Sequence, residues 1–385
     1  MAKDKYLVSG IGPGPGGVGA LMQNLVPVAK RYGFRVVVKQ NCPSIRKLLA
    51  QKQYLQATNV VCQRLLREIR FSLRTRSIRG SKIIFLHPQT AGFKTLFRLT
   101  KENELFLYVM DNSFFCIRSY NCHPIEKTEC LKCLGCLSNV SSQCSPFPVS
   151  IDREKNLGWL NQLRSLAPKI TFLCQNNSQS KLLKMHFGAN TRCIVIGMNT
   201  GELRQWNPEK PFITSSGNKR TKPFILFHGA ATEPKGVDYV IRLAIQMPSQ
   251  KFIIPAPLKA LDQRVLPENI ECRDVTWLNG LRELTQEAAL VINPSMWSAP
   301  IEGALIKSLA YNQNVATVKT QHGYEREIPD EVGLLRLPHD VSEAAVLIND
   351  IIKRPNSPAR LSESRLEWLE QQKKSKKFEH FIAEL

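Results

Sequence analysis

Short apolar runs bounded by turn residues alternate along this chain with stretches whose apolar positions recur at helical spacing. In the N-terminal half the runs YLVSG (6–10), FRVVVKQ (34–40), KIIFLHP (82–88), ELFLYVMD (104–111), ITFLCQ (170–175) and RCIVIGM (192–198) read as strands. Between them ALMQNLVPVAKRYG (20–33), NLGWLNQLRSLAP (156–168) and NSQSKLLKMHFG (177–188) read as helices, the first stopped by Gly33. The rhythm breaks over 199–222, a polar, basic and turn-rich stretch suited to a linker. It then restarts: strands PFILFHG (223–229), KFIIPAP (251–257), ECRDVTWL (271–278), LVINPS (290–295) and VATVKT (315–320) alternate with helices DYVIRLAIQM (238–247), RELTQEAA (282–289) and EGALIKSLAYN (302–312).

Two successive series of this kind predict an α/β protein with two Rossmann-like parallel-sheet domains facing a central cleft. The expected division is 1–198 for an N-terminal domain with a cysteine-rich insertion at 112–148, then the linker 199–222. A C-terminal domain at 223–360 and a charged C-terminal helix at 361–385 complete it. At 385 residues there is material for two cores, and no internal repeat is evident. In parallel sheets ligands bind outside the carboxyl ends of the strands, so the site is expected between the domains.

Charge changes the picture next. The formal net charge is +21, which favours anionic partners. The stretch 64–82 carries Arg64, Arg67, Arg70, Arg74, Arg76, Arg79 and Lys82 against one acid, Glu68, while Leu65, Leu66, Ile69 and Leu73 recur near helical spacing. Two readings stand: a solvated helix face, or a cationic amphipathic helix resting on an anionic membrane surface. Nucleic acid is disfavoured as a partner, because no aromatic interleaving or recognised nucleic-acid motif accompanies the charge. No apolar run is long enough to span a bilayer, and the opening MAKDKYLVSG lacks the pattern of a signal peptide, so a cytoplasmic, peripherally bound protein is expected.

Six of the eleven cysteines fall between Cys116 and Cys144, with Cys130, Cys133 and Cys136 at two-residue intervals. A Cys-x-x-Cys knuckle is the usual half of a tetrahedral zinc site. The set chosen for a closed structural zinc is Cys116, Cys130, Cys133 and Cys144, with Cys122, His123 and Cys136 in reserve. An iron–sulfur run would put its fourth cysteine at position 140, which is Val140. Disulfides would need an oxidising compartment, which nothing in the sequence suggests.

Three further segments carry chemistry. GIGPGPGGVGALM follows the first strand and opens a helix; its glycines let backbone amides approach an anion, although the spacing is not the dinucleotide fingerprint. In FILFHGAATEPKGVDYVI a strand ends near Gly229, and Lys235-Gly236 opens the next helix, where a lysine is placed to neutralise a diphosphate. In VINPSMWSAPIEGALIKSLAYNQNV, Glu302 and Gly303 stand at a helix start, with a carboxylate able to accept from sugar hydroxyls. Each also has a plain structural reading, as a tight turn, a surface lysine and a first-turn acid.

Taken in order, these segments resemble the GT-B glycosyltransferases of glycosyltransferase family 4, over essentially the whole chain. The match rests on Gly16-Gly17, on Gly229 through Lys235-Gly236, and on Pro294-Ser295 through Val315. The resemblance implies a retaining glycosyltransferase, a hexosyl or related sugar transferase. It would move a sugar from a nucleoside diphosphate donor, held by the C-terminal domain, to a growing, lipid-linked glycan in polysaccharide biosynthesis. Donor binding would involve Gly16, Gly17, Gly229, Lys235, Glu302, Gly303 and Lys307; no catalytic base is assigned and no catalytic metal is expected. The chain departs from the family pattern at four places: Ala230 replaces an arginine, Ala299 and Lys307 fill the slots of paired glutamates, and Met110 precedes Asp111 where a histidine is frequent. These departures imply either a divergent subgroup with a rearranged donor site or a non-catalytic glycan- or lipid-binding protein. A zinc-containing nucleic-acid binder is the third class.

Overall fold

The computed structural model describes residues 3–14, 16–40, 42–43, 45–198, 200–208, 223–261, 264–353 and 361–385. Most of the 199–222 linker therefore lies outside the described residues.

The N-terminal half runs β1 (Lys5–Ser9), α1 (Gly17–Arg31), β2 (Arg35–Val38), α2 (Ile45–Ala50), α3 (Tyr54–Arg76), β3 (Lys82–Leu86), α4 (Pro88–Ala91) and α5 (Phe93–Glu102). It continues with β4 (Glu104–Tyr108), α6 (Arg153–Leu166), β5 (Ile170–Cys174), α7 (Asn177–Phe187) and β6 (Cys193–Val195). All pairings are parallel, in the order β2-β1-β3-β4-β5-β6. Alternate strand residues serve opposite faces. Val8, Ile83, Phe85, Leu105 and Leu107 pack into one cluster, while Leu7, Ile84, Leu86, Phe106 and Tyr108 pack into another.

The C-terminal half repeats the plan with β7 (Phe224–Phe227), α8 (Val237–Gln246), β8 (Lys251–Ile254), β9 (Ile270–Cys272), α9 (Leu281–Glu287) and β10 (Leu290–Ile292). Then come α10 (Gly303–Tyr311), β11 (Val315–Val318), β12 (Leu334–Leu337) and α11 (Val341–Ile352). Its strand order is β12-β11-β10-β7-β8-β9, again parallel throughout. The chain is thus a two-domain α/β protein built on two six-stranded parallel sheets.

Side-chain caps set several helix starts: Asp152 accepts from the Lys155 amide, Asn176 from that of Gln179, and Asp340 from those of Ser342 and Glu343. The cap of α7 is Asn176, one residue ahead of the expected start at Asn177. The run 271–278 is corrected. Only Ile270–Cys272 is strand, because the Asn279 side chain accepts from the Thr276 amide at 2.7 Å and folds the rest into a turn. The basic helix is also corrected: α3 begins ten residues before Arg64 and ends at Arg76, so Arg79 lies beyond it and Lys82 opens β3.

The tail is two helices rather than one. In α12 (Glu363–Lys374) Trp368 and Leu369 join a C-terminal-domain cluster, whereas in α13 (Lys377–Glu384) Phe378, Phe381 and Ile382 pack into the N-terminal one. The chain thereby crosses back and ties the two domains together.

Candidate functional site between the domains

Strand order decides where a ligand site can form. In the C-terminal sheet the order reverses between β7 and β10, and the loops leaving their carboxyl ends hold Lys235 and Glu302. Those loops are locked to each other. The Met296 amide donates to Pro234 O at 2.9 Å, and Gly236, with φ of 79°, comes so close to Pro294 that a Cβ would lie 2.0 Å from its carbonyl oxygen.

The lock brings Lys235 and Glu302 together. Lys235 Nζ donates to Glu302 Oε1 at 2.6 Å and Oε2 at 2.8 Å, and Ser295 Oγ donates to Oε1 as well. The ammonium also lies 5.2 Å from the Trp297 ring and 6.0 Å from that of Tyr120. Gly229 lies against this lysine, its Cβ direction 3.8 Å from Lys235 Cβ. Gly303 opens α10, and the Glu202 carboxylate stands where its Cβ would point, 2.4 Å away. An acid already occupies the amide-rich start of this helix, a place that favours anions.

The remaining expected donor residues are Lys307, Gly16 and Gly17. Lys307 sits on the next turn of α10 over the Trp277 ring at 5.0 Å. Trp277 stacks on His228 with ring centroids 5.5 Å apart, and His228 Nδ1 is 2.8 Å from Ser308 Oγ. Burial first, then Lys307, lowers the His228 imidazole to about 3, so it is neutral at physiological pH. Gly16, with φ of 91°, and Gly17 open α1 with free space at both Cβ positions.

The second wall of the site comes from the cysteine-rich segment. Asn112 Nδ2 donates to Ser298 O at 3.0 Å, Asn121 Nδ2 donates to Ser298 Oγ at 2.9 Å, and the Ser298 amide donates back to Asn121 Oδ1 at 3.1 Å. Glu129 accepts from Ser298 Oγ, from the Gln321 amide at 2.5 Å and from the His322 amide at 3.1 Å. Tyr120 lies with its ring 4.6 Å from Trp297. Burial first, then Asp111 and Glu302, raises the Tyr120 phenol to about 12.

The four cysteines expected to hold zinc lie near one another, since Cys130, Cys133 and Cys144 all act electrostatically on Cys116, but they are not placed as a ligand shell. Cys116 and Cys133 are buried in the N-terminal apolar cluster and Cys144 packs against it; Cys130 is half-buried. Burial, chiefly, pushes Cys116 up and Cys133 up to about 11, which keeps both as neutral thiols. Among the described residues no group of three or more His, Cys, Asp or Glu side chains is placed to hold a metal ion, which leaves the structural zinc without support. The physical reason lies in the segment's own core: Phe114, Phe115, Ile117 and Leu137 are buried, so apolar burial orders the loop. The reserves are dispersed. Cys122 packs in the C-terminal core, His123 Nδ1 accepts from the Glu126 amide at 3.2 Å, and Cys136 is exposed.

No protein-family model and no curated protein matches this chain. Solved structures do. Sucrose-phosphate synthase from Thermosynechococcus elongatus superposes with a TM-score of 0.65 at 12% identity, covering 99% of this chain and 98% of that one. HepE from Anabaena, in complex with UDP-glucose, gives 0.56 at 16% identity, with the same coverage. With two six-stranded parallel sheets in one chain, these matches define the chain's architecture as the GT-B fold.

Proposed function

We propose that this protein is a retaining GT-B glycosyltransferase, transferring a hexosyl or related sugar from a nucleoside diphosphate donor to a growing, lipid-linked glycan. One observation carries the reading. At the reversal point of the C-terminal sheet a lysine, a serine and a helix start converge, and the other domain walls them in. A lysine beside free helix amides neutralises the charge that develops on a departing diphosphate. Lys235 would take the diphosphate, the start of α10 would receive an anionic or hydroxyl oxygen in place of Glu202, and Glu302 would hold Lys235 in position. HepE, of the same fold, is known in complex with UDP-glucose.

The acceptor side is proposed to lie at a membrane surface, on the cytoplasmic face. The helix α3 supports this: it packs through Ala57, Val60, Phe71 and Thr75, while Leu65, Leu66, Ile69 and Leu73 are exposed beside Arg70, Arg74 and Arg76. An apolar stripe in water flanked by cations suits an anionic lipid surface. No helix among the described residues is long and apolar enough to cross a membrane.

A second reading, a non-catalytic glycan- or lipid-binding protein, is favoured by Ala230, Ala299 and Lys307 at slots where the family carries charge of other kinds. Incubation with a panel of nucleotide-sugars, read by release of nucleoside diphosphate and by thermal shift, separates the two. Binding, with release when a glycan acceptor is present, supports transfer, whereas the absence of both overturns the donor site and supports the second reading.

A further inference from the structure

The segment 112–148 belongs to the N-terminal domain by chain order, yet its charged side chains engage the C-terminal one. Arg118 is buried; its Nε donates to Cys122 O at 3.1 Å and its Nη2 to Glu233 Oε1 at 2.8 Å. Lys127 pairs with the other oxygen of the same carboxylate. Glu233 begins the single turn Glu233–Lys235 that follows β7, so a carboxylate bridging two foreign cations stands two positions from Lys235. Tyr120 fixes the approach, packed on Trp297 and facing the Lys235 ammonium.

This arrangement bears on a gap in the chain. Position 230, in the loop between β7 and Lys235 and filled by an arginine in the family this chain resembles, carries alanine and offers no cation. A guanidinium presents a planar fork suited to phosphate oxygens, and a lysine adds a point charge. Together they hold one anionic group, the Glu233 carboxylate, and a phosphate presents the same oxygens with more charge. Burying Arg118 at the interface is costly, and a structural clasp alone would be served as well by apolar side chains.

We infer that Arg118 and Lys127 are diphosphate-binding residues of the donor site, supplied across the domain interface by the cysteine-rich segment, with Glu233 holding them in register until the ligand's phosphate displaces it. The inference rests on the sugar-transfer reading given above. It makes the segment a working wall of the donor site and explains how Ala230 is tolerated.

The test is calorimetric titration of the full chain with UDP, GDP and ADP, using whichever binds wild type. Arg118→Met and Lys127→Met should each weaken that nucleotide by about tenfold or more, a change of about 1.4 kcal/mol. Glu233→Gln, which removes the competing carboxylate, should bind it at least as tightly as wild type. Unaltered affinity in both cation variants would overturn the inference while leaving the donor site standing. A loss in Glu233→Gln equal to that in Arg118→Met would also overturn it, by showing the ion pairs to be a structural clasp. Should Arg118→Met fail to fold by its thermal transition, Arg118→Lys is read instead, and wild-type affinity there counts against a phosphate fork. A wild-type chain that binds none of the three nucleotides overturns the donor-site reading, and this inference with it.

Discussion

Lys235 and Glu302 face each other across two loops of the C-terminal domain, the lysine Nζ 2.6 Å and 2.8 Å from the two carboxylate oxygens. The pair is partly shielded, with the side chains 23% and 11% exposed. In that geometry the Glu302 carboxylate accepts from both Lys235 and Ser295.

Replacing Lys235 with alanine should therefore do two separable things. Donor affinity and turnover should fall by about tenfold or more, about 1.4 kcal/mol. Stability should fall too, because Glu302 is left with Ser295 as its remaining side-chain partner in a shielded place. The double variant Lys235→Ala/Glu302→Gln should recover the stability but not the binding. Titration and thermal melts on both variants check this, and wild-type donor affinity in either would remove Lys235 from the site.

Gly236 should tolerate no side chain. Its φ of 79° is one that L residues rarely adopt, and an added Cβ would sit 2.0 Å from Pro294 O, on the loop that carries Ser295 and Trp297. Backbone strain of this kind costs of order 1–3 kcal/mol, and the contact adds to it. Gly236→Ala should lower stability to urea by about 2 kcal/mol or more and weaken nucleotide binding as the two loops separate. A variant as stable as wild type would mean that the loops are not locked.

On α3, Arg70, Arg74 and Arg76 are exposed, whereas Arg67 is held by the Gln40 carbonyl at 2.9 Å and by Glu68. Changing the three exposed arginines to glutamine should remove binding to vesicles containing phosphatidylserine, at about 1 kcal/mol for each charge. Leu65→Ser/Leu73→Ser should weaken it independently. Transfer to a water-soluble acceptor should be unchanged in both. Vesicle binding that survives both sets at physiological salt would make α3 a solvated helix.

How much of this was legible in the sequence varies with the kind of contact. Strands such as β3 and β7 are buried on both faces, so Ile83, Ile84, Phe85 and Leu86 form the continuous apolar run that parallel sheets require. The Lys235-Gly236 and Pro294-Ser295 segments were legible for the same local reason, since each is a short loop at a strand end. Contacts between distant segments were not. Nothing near Cys122 in the sequence reveals that it packs in the C-terminal core, and Arg118 meets Glu233 from 115 positions away. The cysteine spacing drew attention to a metal, while the residues that join the domains, Arg118, Tyr120, Asn121, Lys127 and Glu129, lay among the cysteines unremarked. The charged tail hid its break at Ser375-Lys376, because its few apolar positions serve two different cores. The apolar stripe of α3 was legible as a stripe, but only the structure shows that water rather than core faces it.

The last prediction concerns acid stability. His228 is buried, stacked on Trp277 and hydrogen-bonded to Ser308, and its imidazole is lowered to about 3; His186 is lowered to about 4 by burial first and then Arg164. Both start from an ordinary value of 6.5. Below that pH the unfolded chain binds protons that the folded chain refuses, so stability falls as pH falls. The loss begins near pH 6.5 and continues until the folded imidazoles themselves titrate, near 4 for His186 and near 3 for His228. Each histidine should contribute a slope approaching about 1.4 kcal/mol per pH unit within its window. Stability above pH 7 should be insensitive to both. In His228→Asn, which keeps a hydrogen-bonding group toward Ser308 but cannot charge, urea midpoints measured between pH 6.5 and 4 should decline less steeply than in wild type, by about one proton's worth. Equal slopes in the two proteins would show that His228 is not held neutral by burial.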